Sequence, residues 1–222
     1  MPRAFMAGLV GALLPTLAAA QAPPPPGPHL EPPPDPAEHE PLLLVDVSLG
    51  YVAPLERRDI CPGGEGCVLG PGGALGVLVE RRWPIGIGIF LAYDVWFVEG
   101  GGVFELGTAQ VVRAGVRFAF LEHLQVHPTL HIAGGALVFG DSVFVSTVGG
   151  AVDAGTSVEV ELTDTVGVIV GAKSWIFTTV PFTSPRDDIP RSGGSGVNVA
   201  LQLYLGLSIV ADHGTLGGGR SP

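Results

Sequence analysis

The chain has 222 residues, only 14% of them charged, and a formal net charge of −10. That acidic balance, with a pI near 4.9, excludes a nucleic-acid surface and a polybasic lipid anchor. The mean hydropathy of +0.45 is high for a water-soluble domain, in which about a quarter of residues carry charge.

The amino-terminal residues follow the export pattern: a basic start at Arg3, a short apolar run over 4–17, and Ala20-Gln21-Ala22 as a small-residue exit. Residues 1–22 are therefore expected to be a signal peptide cleaved after Ala22, and no Cys follows that would suggest a lipoprotein. Between residues 22 and 41 stand ten prolines and four acids. A segment of that composition cannot pack a core and favours polyproline II. Residues 23–41 are expected to be a disordered Pro-rich spacer, the sharper alternative being a docking strip for a periplasmic partner.

Eight strand candidates follow, at 42–52, 73–82, 85–98, 108–121, 126–138, 151–162, 166–178 and 197–210. Each is long enough to cross a bilayer at a barrel tilt, which takes about 9–11 residues. Short links (83–84, 122–125 and 163–165) alternate with long ones (53–72, 99–107, 139–150 and 179–196), as in barrels with tight periplasmic turns and longer outer loops. The first long link holds Cys61 and Cys67 around Pro62, Gly63 and Gly64. In an exported chain such a pair reads as a disulfide.

The faces of these strands carry the main argument. Along 198–210 one face holds Val199, Leu201, Leu203, Leu205, Leu207 and Ile209, and the other Asn198, Ala200, Gln202, Tyr204, Gly206 and Ser208. Side chains alternate across a strand, so each strand has one apolar and one polar side. The charges Asp46, Glu80, Arg82, Asp94, Arg113, Arg117, Asp153, Glu159, Glu161 and Lys173 all fall on the second side, together with His127. A water-soluble barrel would not place its charges in the core and its apolar face in water, so the apolar side faces lipid. With the amino terminus in the periplasm, Tyr51, Tyr93 and Phe97 form an outer aromatic girdle and Trp83, Phe118 and Phe120 an inner one.

On strand number, alternating loop length and a Gly-rich last strand, residues 42–210 resemble the eight-stranded outer-membrane barrels of the OmpA-like and opacity-protein type. The resemblance implies an all-β, up-and-down antiparallel transmembrane barrel over 42–211, preceded by a signal peptide and spacer and followed by a flexible tail at 212–222. It also implies outer-membrane lipid and the barrel-assembly machinery as partners, in a Gram-negative-type envelope. Barrels of that group usually end on an aromatic residue read during insertion, whereas here the chain runs on through ADHGTLGGGRSP.

Sites for chemistry are few. His127 and His131 are spaced like a helical zinc pair, but on a strand they lie roughly 13 Å apart, so both are expected to be hydrogen-bonding lumen residues and no metal or cofactor is expected. Gly86-Ile87-Gly88 lacks the third glycine of a dinucleotide loop, residue 91 being Leu. Some barrels of this size act on lipid A, and the deacylase kind carries a His-x-Ser wall motif. The nearest piece, His127-Pro128-Thr129, has Thr for Ser and points inward, while Ser174, on the lipid face, has no His beside it. The inward charges read either as an ion path or as a plug of paired side chains filling a narrow lumen, and we take the plug. The pairs expected about the short turns are His127–Glu161, Lys173–Asp153 and Arg113–Asp94. The function expected is a non-enzymatic outer-membrane protein acting through its outer loops in surface contact or envelope organisation. The alternatives are a narrow solute or ion channel and, after that, a lipid-modifying enzyme.

Overall fold

The computed structural model describes residues 41–57, 60–61, 67–121, 124–142, 144–184, 186–191 and 196–212. The signal peptide, nearly all of the Pro-rich spacer and the tail from 213 onward lie outside the described residues. Ten strands occur in chain order: β1 Leu42–Glu56, β2 Gly72–Arg82, β3 Ile87–Val98, β4 Gly107–Ala119, β5 Val126–Asp141, β6 Phe144–Thr163, β7 Val166–Thr179, β8 Phe182–Thr183, β9 Pro190–Arg191 and β10 Asn198–Asp212. Among the described residues there is no helix.

Eight of these strands close a barrel in the order β1-β10-β7-β6-β5-β4-β3-β2. Every pairing is antiparallel, and β1 closes the ring by pairing with β2 on one side and β10 on the other. Closure leaves no sheet edge in the wall, the condition for strands to cross hydrocarbon. The short strands β8 and β9 pair only with each other, inside the connection that leads to β10.

Burial alternates along each strand as the apolar pattern requires. On β10, Leu203, Leu205, Leu207 and Ile209 are exposed while Asn198, Ala200, Gln202 and Ser208 are buried. Tyr51 and Phe97 face outward at the end with the longer connections, and Trp83, Phe118 and Phe120 face outward at the other, whereas Tyr93, expected in the outer girdle, faces outward halfway along β3 opposite Val77. An apolar belt bounded by two aromatic girdles is a surface built for lipid.

Two of the longer links differ from expectation. The stretch 139–150 is not a loop, because β5 continues to Asp141 and β6 begins at Phe144. Gly140 and Gly149, within that stretch, are strand glycines at close backbone approaches. A Cβ on Gly149 would collide with the Thr178 carbonyl oxygen, and one on Gly140 with that of Phe144. The last long link contains the β8–β9 hairpin, and β10 itself runs on to Asp212.

The interior has two unlike halves. Near the short turns it holds ionised side chains. Towards the longer connections it is an apolar core in which Trp96, Val111, Leu137, Trp175 and Phe177 meet Ile60, Val68, Leu69, Val103, Phe104 and Phe182 from the connections above. The paired charges expected from the sequence occupy one half of the lumen and an apolar cluster the other. In the outer half both faces of the wall are apolar, and buried residues of the connections join the inner one.

Candidate functional site

Antiparallel strands of period two present one inward side chain every second residue, so Glu80 and Arg82 on β2 and Arg113 and Arg117 on β4 reach the same lumen from neighbouring heights. Nearest the short turns, Arg117 Nη1 donates to Asp46 Oδ2 at 2.7 Å and to Glu80 Oε2 at 2.8 Å. Arg82 Nε donates to Glu80 Oε1 at 2.9 Å, and its Nη1 reaches Glu159 Oε2 at 3.4 Å. One step deeper, Arg113 spans Asp94 (2.8 Å) and Asp153 (3.2 Å), Lys173 Nζ donates to Asp94 Oδ1 at 2.7 Å, and His131 Nε2 lies 3.0 Å from Asp153 Oδ2. All of these side chains are buried.

The pairing answers a desolvation cost. A lone ion in so narrow a space costs several kcal/mol, on the order of what each partner recovers. Two of the pairs bridge the full width of the barrel. β7 and β3 stand opposite each other in the ring, as do β2 and β6, so Lys173–Asp94 and Arg82–Glu159 are diametric struts. Aromatic rings complete the layer: the Arg113 guanidinium lies 5.2 Å from the centroids of Phe90 and of Trp175, and Lys173 Nζ 4.8 Å from that of Trp175.

Every inward charge expected from the sequence is placed on the lumen side except Glu161. That carboxylate sits at the short-turn end of the lumen, its side chain 52% exposed, where it meets His127 Nε2 at 2.9 Å. Lys173 is held by Asp94 rather than Asp153. Its neighbour on β6 is Gly155, which leaves it free to cross the lumen, while Asp153 is taken by Arg113 and His131. His127 and His131 have separate partners, and among the described residues no three His, Cys, Asp or Glu side chains gather where a metal could bind. Thr129 faces the lumen and hydrogen-bonds Ser157 at 2.6 Å, and Ser174 is exposed on the outer wall.

Sequence reasoning did not single out the members that join the two halves. Trp175 Nε1 donates to Gln202 Oε1 at 2.9 Å, and Trp96 packs edge-on against Trp175 with centroids 5.1 Å apart. Their inward parity was visible, but their meaning depends on what covers them. Beneath them is a cavity of about 20 Å³ bordered by Asp46, Asp94, Arg113, Arg117, Lys173 and Tyr204. One water molecule needs about 10–15 Å³ of such space.

At the other end the connections are tied together. Cys61 and Cys67 form a disulfide, Arg186 Nη2 pairs with Glu105 Oε1 at 3.0 Å and Asp141 Oδ2 at 3.4 Å, and Arg191 Nη1 donates to Asp187 Oδ1 at 3.1 Å. The Arg191 guanidinium holds the Asp187 carboxyl below the usual carboxylate range.

An all-next-neighbour closed barrel of eight antiparallel strands, apolar outside and ionic within, defines the class: an up-and-down transmembrane β-barrel. A solved structure agrees in fold. The chain is similar to Neisserial surface protein A in its crystal structure, with a TM-score of 0.54 and 12% identity over 76% of this chain and 96% of that one. A major outer membrane protein from Thermus thermophilus aligns more loosely, with a TM-score of 0.45 and 15% identity over 75% of this chain and 98% of that one. At such identity the likeness is one of fold, and the fold is that of the eight-stranded outer-membrane barrels. No family model and no curated protein sequence matches the chain.

Proposed function

We propose that this is an outer-membrane protein of a Gram-negative-type envelope, exported by its amino-terminal signal and inserted by the barrel-assembly machinery. In this reading it has no enzymatic activity, its lumen is closed, and it acts through its outer connections in surface contact or envelope organisation. The observation that carries the reading is the core those connections build over the mouth. Ile60, Val68, Leu69, Val103, Phe104 and Phe182 are all buried, so the described parts of these connections form a packed platform. From it the β5–β6 hairpin presents Phe144 and Val145, 76% and 62% exposed, and apolar side chains in such a position suit contact with another molecule.

Closure disfavours the channel reading, since an ion would have to pass both the paired charges and the Trp96–Trp175 layer. Purified protein in planar bilayers should give no stepwise conductance, and expressing the chain should leave the mass of lipid A unchanged. Regular conductance steps would favour the channel. A lipid A mass shift that depends on the protein would favour an enzyme.

A further inference from the structure

Gly73 leaves a gap between two rings of the outer girdle. Tyr51, Gly73 and Phe97 lie in a single cross-strand row, Gly73 pairing with Tyr51 on β1 and with Phe97 on β3. All three face outward, and both rings are exposed. Gly73 therefore leaves a slot between two aromatic rings at the level where the wall meets the lipid headgroups. The backbone does not demand this glycine, because a Cβ there would meet nothing within 4 Å. Its neighbour Gly72 is different, since a Cβ on it would collide with the Phe97 carbonyl oxygen.

Immediately above the row opens a cleft of about 300 Å³, bordered by Tyr51, Gly72, Phe97, Glu99, Glu105 and Leu106. Its charged lining is acidic only. Glu105 is already engaged by Arg186 at 3.0 Å, whereas among the described residues no cation pairs with the exposed Glu99 carboxylate. The cleft is thus walled at its lower part by the Tyr51 and Phe97 rings that flank Gly73 and carries one free negative charge at its upper edge.

We propose that this cleft binds a single membrane lipid whose headgroup carries a primary amine. One acyl chain lies between Tyr51 and Phe97 over Gly73, and the ammonium group pairs with Glu99. A lipid is the occupant because the slot opens onto the wall that lipid covers, and an amine because the free charge there is a carboxylate. The proposal rests on the membrane reading above.

The test is native mass spectrometry of the full chain, folded in detergent and offered phosphatidylethanolamine or phosphatidylglycerol with identical acyl chains. The expected preference for the amine lipid is about fivefold, the equivalent of roughly one partly exposed ion pair. E99Q should abolish the preference while leaving both lipids weakly bound. Gly73→Trp, which fills the slot without a backbone clash, should release both. Phosphoethanolamine without acyl chains should not be retained by any of the three proteins. Equal retention of the two lipids by the wild type, a preference unchanged in E99Q, or undiminished binding to Gly73→Trp would overturn the site while leaving the barrel reading intact. Failure of the wild type to fold in detergent would overturn both.

Discussion

Lys173 donates to Asp94 at 2.7 Å across the whole width of the barrel, from a strand that stands opposite its partner in the ring. Asp94 also accepts from Arg113, which itself reaches Asp153. Four strands are thereby joined through the lumen by side chains as well as around it by backbone. Such struts stiffen the wall where a porin would carry water.

Replacing Arg113 by Met removes the cation that two buried carboxylates share. Each keeps a second partner, Lys173 for Asp94 and His131 for Asp153, so the cost should be near the lower end for a broken buried pair, about 3 kcal/mol. The loss should show as a lower transition temperature in detergent and easier unfolding on gels run without boiling. Conductance should stay absent, because the apolar half remains. Unchanged stability would mean that Arg113 contributes nothing to the lumen network.

Trp96→Ala should cost about 3–5 kcal/mol, the usual cost of emptying a fully buried aromatic site. Phe97→Leu, one residue along on the outward face, exchanges one lipid-facing apolar group for another and should change stability far less. Equal effects in the two variants, read by thermal unfolding in the same detergent, would show that the outer half of the lumen is not a packed core.

The difference between those neighbours also shows where the sequence stops being legible. The polar half of the lumen could be read in advance because charge contrasts with an apolar wall: Asp46, Glu80, Arg113 and Arg117 mark their face unambiguously. At Trp96 and Phe97, or Trp175 and Ile176, both faces are apolar and the contrast vanishes. Its parity with Asp94 already puts Trp96 inside; what no strand period encodes is the apolar cluster it joins there with Ile60, Val68 and Phe104 from the connections. The partner of Lys173 was hidden for a related reason, since the strand neighbours it can be read against do not include β3, on the far side of the barrel. The stretch 139–150 was expected as a link, and Gly140 and Gly149 within it stand in strands, since glycine also lets two strands approach closely.

Removing the Cys61–Cys67 disulfide by replacing both residues with Ser should loosen the platform and spare the barrel. Closing so short a loop is worth about 2 kcal/mol on the chain-entropy account. Amide exchange should therefore quicken at Ile60, Val68 and Leu69 and stay unchanged at Leu203 and Leu205. Accelerated exchange in the wall as well would mean that the platform and the barrel unfold as one unit.

Asp187 supplies a pH dependence outside the membrane-spanning strands. Its carboxyl is held below its ordinary value, about 3.9, by hydrogen bonding to Arg191. A carboxyl whose folded value is depressed contributes stability that is complete above the unfolded value and is lost as pH falls through the folded one. The contact between Asp187 and Arg191 should thus be intact at neutral pH and at pH 5, and should weaken only below about pH 4. The carboxyl carbon shift of Asp187, followed by NMR, should have its midpoint below that of an unstructured peptide. A midpoint at or above the peptide value would contradict the pairing.

The central claim, an inside-out barrel with a packed lumen, is tested most directly by a nitroxide scan along β10. Single cysteines from Val199 to Ser208 would be labelled in reconstituted protein, with Cys61 and Cys67 left disulfide-bonded. Collision rates would then be measured with oxygen, which concentrates in lipid, and with a water-soluble nickel chelate. The account predicts a period of two: high oxygen contact at Leu201, Leu203, Leu205 and Leu207, and low contact with both reagents at Ala200, Gln202 and Ser208. High nickel contact at the inward positions would reveal a water-filled pore, and high nickel contact at the leucines would show that the apolar face is not in lipid at all.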